Sequence, residues 1–178
     1  KEEAYADSKT ADYVVGELGK KQDTPFFLAC GIFRPHLPWY APRKYFEMYP
    51  LDQIVLPQVM DGDLSDVPRE GKQLAASRRG DFENIRKGGK WKEAVRAYLA
   101  CISFADAQLG RILDALQASD YRQNTIIVFW SDHGWHLGEK NHWHKSTLWE
   151  EATRIPFMMM VPGVTEAGTR CKRPIDTL

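Results

Sequence analysis

The sequence predicts an α/β fold with a mainly parallel sheet, because short apolar segments alternate with helical ones. Three apolar segments lack the polar alternation of half-exposed strands, so we predict strands buried on both faces at residues 25–33, 125–130 and 156–163. Between the first two, apolar residues recur every three or four positions, which predicts a long helix facing a core. Strands separated by helices are typical of α/β proteins.

The helical segments are predicted in chain order. A first helix ends near Gly19, with Asp7 or Ser8 as its N-terminal cap. Four prolines make residues 34–50 an irregular loop, and residues 71–86 are predicted to be helical. The apolar stripe of the long helix comprises Trp91, Val95, Tyr98, Ile102, Ala105, Leu109, Ile112 and Leu116.

The composition is that of an ordinary globular domain. The chain has 178 residues, of which 43% are apolar and 27% charged, enough for a single core. Lys and Arg together number 24, as do Asp and Glu, so the charge balance predicts no nucleic-acid partner. No apolar run reaches the roughly 20 residues of a membrane span. Three widely spaced cysteines form neither a zinc pattern nor a disulfide framework: Cys30, Cys101 and Cys171.

Titratable side chains cluster directly after the second predicted strand. Residues 131–146 contain four of the five histidines of the chain. Asp132 and His133 follow this strand at once, and His36 lies a few residues past the first strand. If these strands are parallel, the three side chains meet at the carboxyl edge of the sheet, where α/β proteins bind ligands.

These side chains suit the hydrolysis of an anionic ester at a metal ion. Asp132 is a hard oxygen donor for Ca²⁺ or Mg²⁺, and His133 is a nitrogen donor more typical of transition metals. Lys145 is a point charge for an anionic oxygen, and His36 titrates near neutrality and can protonate a leaving group. Taken one at a time, the same residues also fit a strand-ending turn, a loop histidine and a solvated lysine.

The histidines also allow a second interpretation, a transition-metal site built from His133, His136, His142 and His144. Their spacing matches no standard zinc signature. Surface or hydrogen-bonded histidines are the alternative to such a site.

In combination, three segments resemble the sulfatase family, and within it the iduronate-2-sulfatase-like branch. RPHLP (34–38) resembles the family's Pro-His-x-Pro loop, and SDHGWHLGEKNHWHKS (131–146) resembles its metal-and-sulfate segment. RIPFMMMVPG (154–163) resembles the core strand that follows. The resemblance covers nearly the whole chain and implies an alkaline-phosphatase-like α/β sandwich. Residues 1–178 would then be a portion of one catalytic domain, truncated at both ends.

The resemblance also implies roles for individual residues. Asp132 and His133 would ligate a divalent cation, Ca²⁺ as is usual in the family, with Mg²⁺ as the alternative. Lys145 would hold the sulfate and its leaving-group oxygen, and His36 would contact the bridging side of the ester as a general acid. The residues expected to contact the sugar or carboxylate of a substrate are Arg34, His136 and His142.

The nucleophile of the resembled family is missing from these residues. Such sulfatases carry a formylglycine, made from the Cys or Ser of a Cys-x-Pro-x-Arg motif. CGIFR, from Cys30 to Arg34, has the Cys-to-Arg spacing but Ile32 in place of the proline. We therefore expect the formylglycine elsewhere in the full-length protein, and no turnover from this polypeptide alone. The implied substrate is a sulfated small molecule or glycan, and the implied location is periplasmic, secreted or lysosomal.

Two other functions stay open. One is a phosphatase, phosphodiesterase or phosphomutase of the same superfold, with two transition metals and a Ser or Thr nucleophile. The other is a non-catalytic relic that binds sulfated glycans by stacking aromatic side chains on sugar rings. The same side chains could instead cover the edge of the core, because aromatic residues carry large areas to bury. They are Trp39, Tyr40, Tyr45, Phe46 and Tyr49.

Overall fold

The computed structural model describes residues 1–76 and 80–176. The helices are α1 (Ala6–Leu18), α2 (Arg43–Glu47), α3 (Arg69–Ala75), α4 (Asp81–Lys87), α5 (Trp91–Ala118) and α6 (Glu150–Thr153). The strands are β1 (Ile127–Trp130), β2 (His136–Leu137), β3 (Trp143–His144) and β4 (Phe157–Met160). The chain divides into two compact units, the first comprising Lys1–Leu56 and Lys90–Gln123, the second Pro57–Gly89 and Asn124–Leu178.

The long helix α5 organises the first unit, and α1 and α2 pack against it. The ring of Phe104, fully buried on α5, meets Tyr5 and Tyr45 with centroids 5.2 and 5.4 Å apart. Aromatic pairs in such edge and tilted geometries add about 0.5–1.5 kcal/mol beyond their burial. The core cluster consists of Ala41, Tyr45, Ala100, Cys101 and Phe104.

The long helix was predicted correctly, but its buried line differs in part from the predicted stripe. Val95 and Leu116 are buried as expected, whereas Ile102 is 39% exposed. The fully buried positions follow the side that α1 and α2 cover: Ala100, Cys101, Phe104 and Gln108. Periodicity predicts that one side of a helix is apolar, but neighbouring elements decide which residues along it are enclosed.

The prediction of a strand at residues 25–33 is wrong, because this stretch forms no strand. A strand requires a hydrogen-bonded neighbour, which an apolar pattern by itself does not supply. Phe27, in the middle of the stretch, is 93% exposed. The predicted end of the first helix is confirmed, since α1 stops at Leu18 with Gly19 as its C-cap.

The second unit contains two small antiparallel sheets. β1 pairs with β4, with Ile127 opposite Met160 and Trp130 opposite Phe157. β2 pairs with β3, with His136 opposite His144. The α/β class is confirmed, and the pairings within this chain are antiparallel, so parallel strand ends are not what positions the site.

Two other predictions for the second unit need correction. The strands at β1 and β4 exist, but the expected burial of both faces is wrong for these residues, since Trp130 is 53% and Met158 57% exposed. The single helix predicted over residues 71–86 consists of α3 and α4, and residues 77–79 lie outside the described part of the chain. None of the helices in the described part is long and apolar enough to cross a membrane.

Candidate functional site

His133 lies at the centre of a cluster formed by the segment after β1. Its Nε2 atom is 2.6 Å from Nζ of Lys145 and 3.3 Å from Oδ2 of Asp132. Its Nδ1 atom is 2.7 Å from the carbonyl oxygen of Gly134. Because a carbonyl oxygen only accepts hydrogen bonds, Nδ1 carries the ring proton and Nε2 presents its lone pair to the Lys145 ammonium. Three of the predicted site residues are therefore in contact.

The cluster fits two ligands of a divalent cation. Histidines that bind metals usually donate their other ring N–H to a carbonyl or carboxylate, as His133 does here. The carboxylate of Asp132, 80% exposed, supplies an oxygen donor beside Nε2. The Nε2 lone pair serves either a metal or Lys145, so metal binding requires Lys145 to turn away. Among the described residues, no group of three or more His, Cys, Asp or Glu side chains is placed to hold a metal.

Gly134 lets the site segment approach α6 closely. Its backbone N–H donates to the carbonyl oxygen of Ala152 over 2.8 Å. A Cβ atom at this position would lie 2.1 Å from the carbonyl oxygen and 3.0 Å from the carbonyl carbon of Glu151. Both of these atoms belong to the backbone, so no flexible side chain could move aside. Gly134 is needed here for a close approach between two stretches of backbone.

The backbone around Lys145 is locally strained. A positive φ costs a non-glycine residue about 1–3 kcal/mol and persists only where the surrounding structure holds it. Such strain often occurs at functional sites. The segment contains four such residues, with φ of 57°, 52°, 85° and 74°: Lys140, Asn141, His144 and Ser146.

Acidic side chains from distant parts of the unit hold this strained segment. Nζ of Lys140 donates to Oδ1 of Asp63 over 2.8 Å. Nε2 of His144 lies 2.9 Å from Oδ2 of Asp81, at the start of α4. Sequence reasoning missed both acids, because contacts across 77 and 63 residues leave no local pattern.

His136 and His142, two of the expected substrate-contacting residues, are buried beneath Lys145, with 0% and 2% exposure. Nδ1 of His136 faces the carbonyl oxygen of Glu139 at 3.1 Å, and Nε2 faces the hydroxyl of Thr147 at 2.8 Å. Burial lowers the pKa of His136 below its ordinary value, because desolvation disfavours the charged ring. In this chain, the ring nitrogens of His136 are therefore engaged within the protein.

The transition-metal interpretation receives no support from the histidine geometry. Nε2 of His136 and Nε2 of His144 face different partners, Thr147 and Asp81. The described residues show hydrogen-bonded histidines, which is the alternative that the sequence left open.

The first unit carries the other two predicted site residues, Arg34 and His36. The carboxylate of Asp7, 4% exposed, accepts the backbone N–H groups of Phe33 (2.8 Å) and Arg34 (3.2 Å). Asp7 therefore fixes the loop that carries His36, and the prediction that it caps α1 is wrong. His36 itself is exposed, and its Nδ1 lies 2.6 Å from the carbonyl oxygen of Leu37. A carbonyl partner again places the proton on Nδ1, which leaves Nε2 as the ring nitrogen open to a ligand.

The aromatic residues of the loop cover the core for the most part. Tyr45 is buried, and Trp39 and Phe46 pack against the core cluster. The hydroxyl of Tyr49 lies 2.6 Å from that of Ser103 on α5. Tyr40 is 65% exposed. Of the two roles considered for these side chains, covering the core is the one seen in the structure.

Cys30 and Cys101 lack the surroundings of an activated nucleophile. Cys101 is fully buried, and desolvation raises the pKa of its thiol to about 11. Cys30 is free, and partial desolvation followed by the Asp7 carboxylate raises the pKa of its thiol. Cys171 is free and exposed. Since the thiolate is the reactive form, a raised pKa makes Cys30 and Cys101 poor nucleophiles.

The fold belongs to the alkaline-phosphatase-like class, and comparisons with known proteins give the family. The sulfatase family model matches residues 1–177, so the chain belongs to the sulfatase family. A sulfatase from Formosa agariphila is 42% identical over 173 residues, which cover 97% of this chain and 34% of that protein.

Two further relatives extend this result. Iduronate 2-sulfatase from Mus musculus is 35% identical over 159 residues, covering 84% of this chain and 29% of that protein. The chain thus spans about a third of the length of the curated relatives it matches. The solved structure of a phosphonate monoester hydrolase from Silicibacter pomeroyi shares the fold with a TM-score of 0.77 at 23% identity. That match covers 92% of this chain and 34% of the hydrolase.

Proposed function

We propose that the protein containing this chain hydrolyses sulfate esters, and that residues 1–178 form a portion of its single catalytic domain. The contact of Lys145, His133 and Asp132 carries this proposal, because it sets a cation for sulfate oxygens beside two metal donors. Membership of the sulfatase family supports the same chemistry.

Each site residue then has a defined task. Asp132 and Nε2 of His133 would ligate Ca²⁺, with Mg²⁺ as the alternative. When bound, the ion would offset negative charge on the sulfate oxygens. Lys145 would turn from Nε2 to a sulfate oxygen, since its ammonium seeks the stronger acceptor. His36 would act as the general acid in its imidazolium form: Nε2 would pass its proton to the leaving-group oxygen, while Nδ1 keeps the proton that faces Leu37. Arg34 would contact the substrate beyond the sulfate.

The rest of the reaction depends on parts of the protein outside these residues. We assign the nucleophile to a formylglycine there, because CGIFR, from Cys30 to Arg34, has Ile32 where the formylglycine motif has proline. The isolated polypeptide would be inactive. A sulfated sugar or glycan is the proposed substrate, supported by the similarity to an iduronate 2-sulfatase. Periplasmic, secreted or lysosomal location follows as a proposal from the same family membership.

A phosphate or phosphonate ester is the second candidate substrate, favoured by the fold shared with a phosphonate monoester hydrolase. A phosphate monoester differs from a sulfate monoester in charge, since it approaches two negative charges near neutral pH. A phosphonate monoester carries one negative charge, as does a sulfate monoester. A site that prefers phosphate would therefore need more positive charge than Lys145 and one cation provide.

The test measures turnover of 4-nitrophenyl sulfate and 4-nitrophenyl phosphate by the full-length protein and its Lys145→Ala variant. We expect preference for the sulfate, and a fall in kcat/KM of about 10²–10³-fold on loss of Lys145, as for other charge-stabilising donors. The control is Lys87→Ala, an exposed lysine paired with Glu83 on α4, which should leave turnover unchanged. Full activity of Lys145→Ala would overturn the site, and preference for phosphate would favour the second candidate.

A further inference from the structure

Two buried histidines lie directly beneath the backbone of Lys145, and the proposed reaction does not use them. The rings of His136 and His142 meet edge to face, with centroids 5.1 Å apart. Both are almost completely enclosed. A buried polar ring costs free energy unless its nitrogens are hydrogen-bonded, so the partners of each ring show what the pair does.

His142 lies between two backbone carbonyl groups. Its Nδ1 is 3.0 Å from the carbonyl oxygen of Ala75, at the end of α3, and its Nε2 is 3.0 Å from that of Lys145. A neutral imidazole has a single N–H, and a carbonyl oxygen cannot donate. Both contacts are hydrogen bonds only when both ring nitrogens carry protons, which makes the ring an imidazolium. Charge-assisted bonds to two acceptors offset the cost of burying that cation.

His136 has the complementary pattern. Its Nδ1 faces a carbonyl oxygen and must donate, whereas its Nε2 faces the hydroxyl of Thr147, which can donate to it. The neutral tautomer with the proton on Nδ1 satisfies both contacts. Burial is the largest cause that lowers the pKa of His136, and its hydrogen bond to the Glu139 backbone opposes the shift. The geometry places the second ring proton on His142, the ring that faces two acceptors.

The two rings hold the chain at Lys145 and two residues after it. His142 binds the carbonyl of Lys145 itself, and His136 binds the side chain of Thr147, two residues further on. The residues flanking Lys145, His144 and Ser146, both have positive φ. A strained backbone of this kind returns to a commoner conformation unless contacts hold it.

We propose that His142 is a positioning residue for Lys145, holding its backbone as a doubly protonated imidazolium, while neutral His136 holds Thr147. The inference rests on the proposed function insofar as Lys145 binds the sulfate. It assigns His136 and His142 to the support of the sulfate-binding lysine, in place of the substrate contact expected from sequence.

The first experiment reads the protonation states directly. In full-length protein labelled with ¹⁵N-histidine, NMR should show protons on both ring nitrogens of His142 and on Nδ1 alone of His136 at neutral pH. The His142→Gln and His136→Gln variants assign the two sets of signals. A single ring proton on His142 would overturn the charged bridge, whatever the substrate of the enzyme.

The second experiment asks whether His142 acts through Lys145. We expect His142→Gln to lower kcat/KM roughly tenfold, the loss of one hydrogen bond to a charged donor. In a Lys145→Ala background, the same substitution should have little further effect, because the group it positions is gone. Equal losses in both backgrounds would indicate a merely structural role and contradict the proposal.

The control for stability is Phe82→Leu. Phe82 is buried in the same unit, and its ring stacks on that of Trp143 with centroids 6.1 Å apart. This variant should lower Tm while leaving kcat/KM unchanged. If Lys145→Ala keeps full activity, the proposed function fails. If Lys145→Ala loses activity and His142→Gln does not, only the positioning role fails.

Discussion

The loop that carries His36 and the segment that carries Lys145 present similar side chains in different settings. In the loop, the buried Asp7 fixes the backbone, while the His36 ring is exposed and held at Nδ1 alone. In the segment, both nitrogens of His133 are engaged, and buried histidines lie below the lysine. A charge that must meet a sulfate in a fixed place benefits from such rigid support. The ring of His36, the proposed general acid, is held at one nitrogen alone and keeps more freedom.

Gly134→Ala should have the largest effect on the rigid segment. The new Cβ would overlap the backbone of Glu151, so we expect a loss of about 1–3 kcal/mol in the free energy of unfolding. Hydrolysis by the full-length protein should fall with it, because Gly134 also accepts the Nδ1 proton of His133. Urea denaturation and kcat/KM are the measurements.

The matched control is Gly110→Ala, in the interior of α5. A Cβ there meets no atom within 4 Å, and alanine is the better helix former by about 1 kcal/mol. This variant should be as stable as the parent protein or more so. If the two alanine variants behave alike, the close approach at Gly134 does not shape the site.

Asp7→Asn should have an intermediate effect, confined to the freer loop. Asparagine keeps one acceptor but turns an amide NH₂ toward a backbone N–H, so we expect a loss of about 1–3 kcal/mol in stability. The kcat should also fall as the position of His36 loosens. Thermal unfolding and kcat report the two effects. Asp12→Asn, also on α1, loses an exposed pair with Arg111 of α5 and should cost less than about 1 kcal/mol. A greater cost for Asp12 would refute the role of Asp7.

The smallest expected effect is a pH dependence from His136. Its pKa is lowered by burial, so the unfolded chain binds a proton more readily than the folded one. The stability due to the neutral ring is complete above the ordinary histidine pKa of about 6.5 and is lost as the pH falls below it. In the His136→Gln variant, the denaturation midpoint should therefore change less between about pH 7 and pH 5 than in the parent protein. Phe82→Leu should shift the midpoint equally at each pH, and a slope unchanged by His136→Gln would contradict the prediction.

The sequence predicted those features that depend on neighbouring residues. An apolar run before Asp132 and His133 was enough to place them at the end of β1. The regular stripe was enough for α5. Lys145 could be added because it lies in the same short segment, 12 residues from its partner His133.

Features that depend on distant contacts were not predictable in this way. Asp7 is a good capping residue type, but its carboxylate binds backbone groups 26 and 27 residues away. The carbonyl of Ala75, which pairs with His142 across 67 residues, is a backbone group that no residue type reveals. Strand partners have the same property, and for this reason the expected strand at residues 25–33 was wrong.

The exposed faces of β1 and β4 have a consequence for handling the protein. β4 consists of Phe157 and three methionines, between 37% and 57% exposed, in a sheet of two short strands. Uncovered apolar strands of this kind are templates for pairing between chains. We expect recombinant production of these 178 residues alone to give inclusion bodies. Peroxide would oxidise the exposed methionine thioethers of β4. Under the proposed domain organisation, co-expression with the other parts of the domain is the practical route to material in which the activity measurement reports on chemistry instead of precipitation.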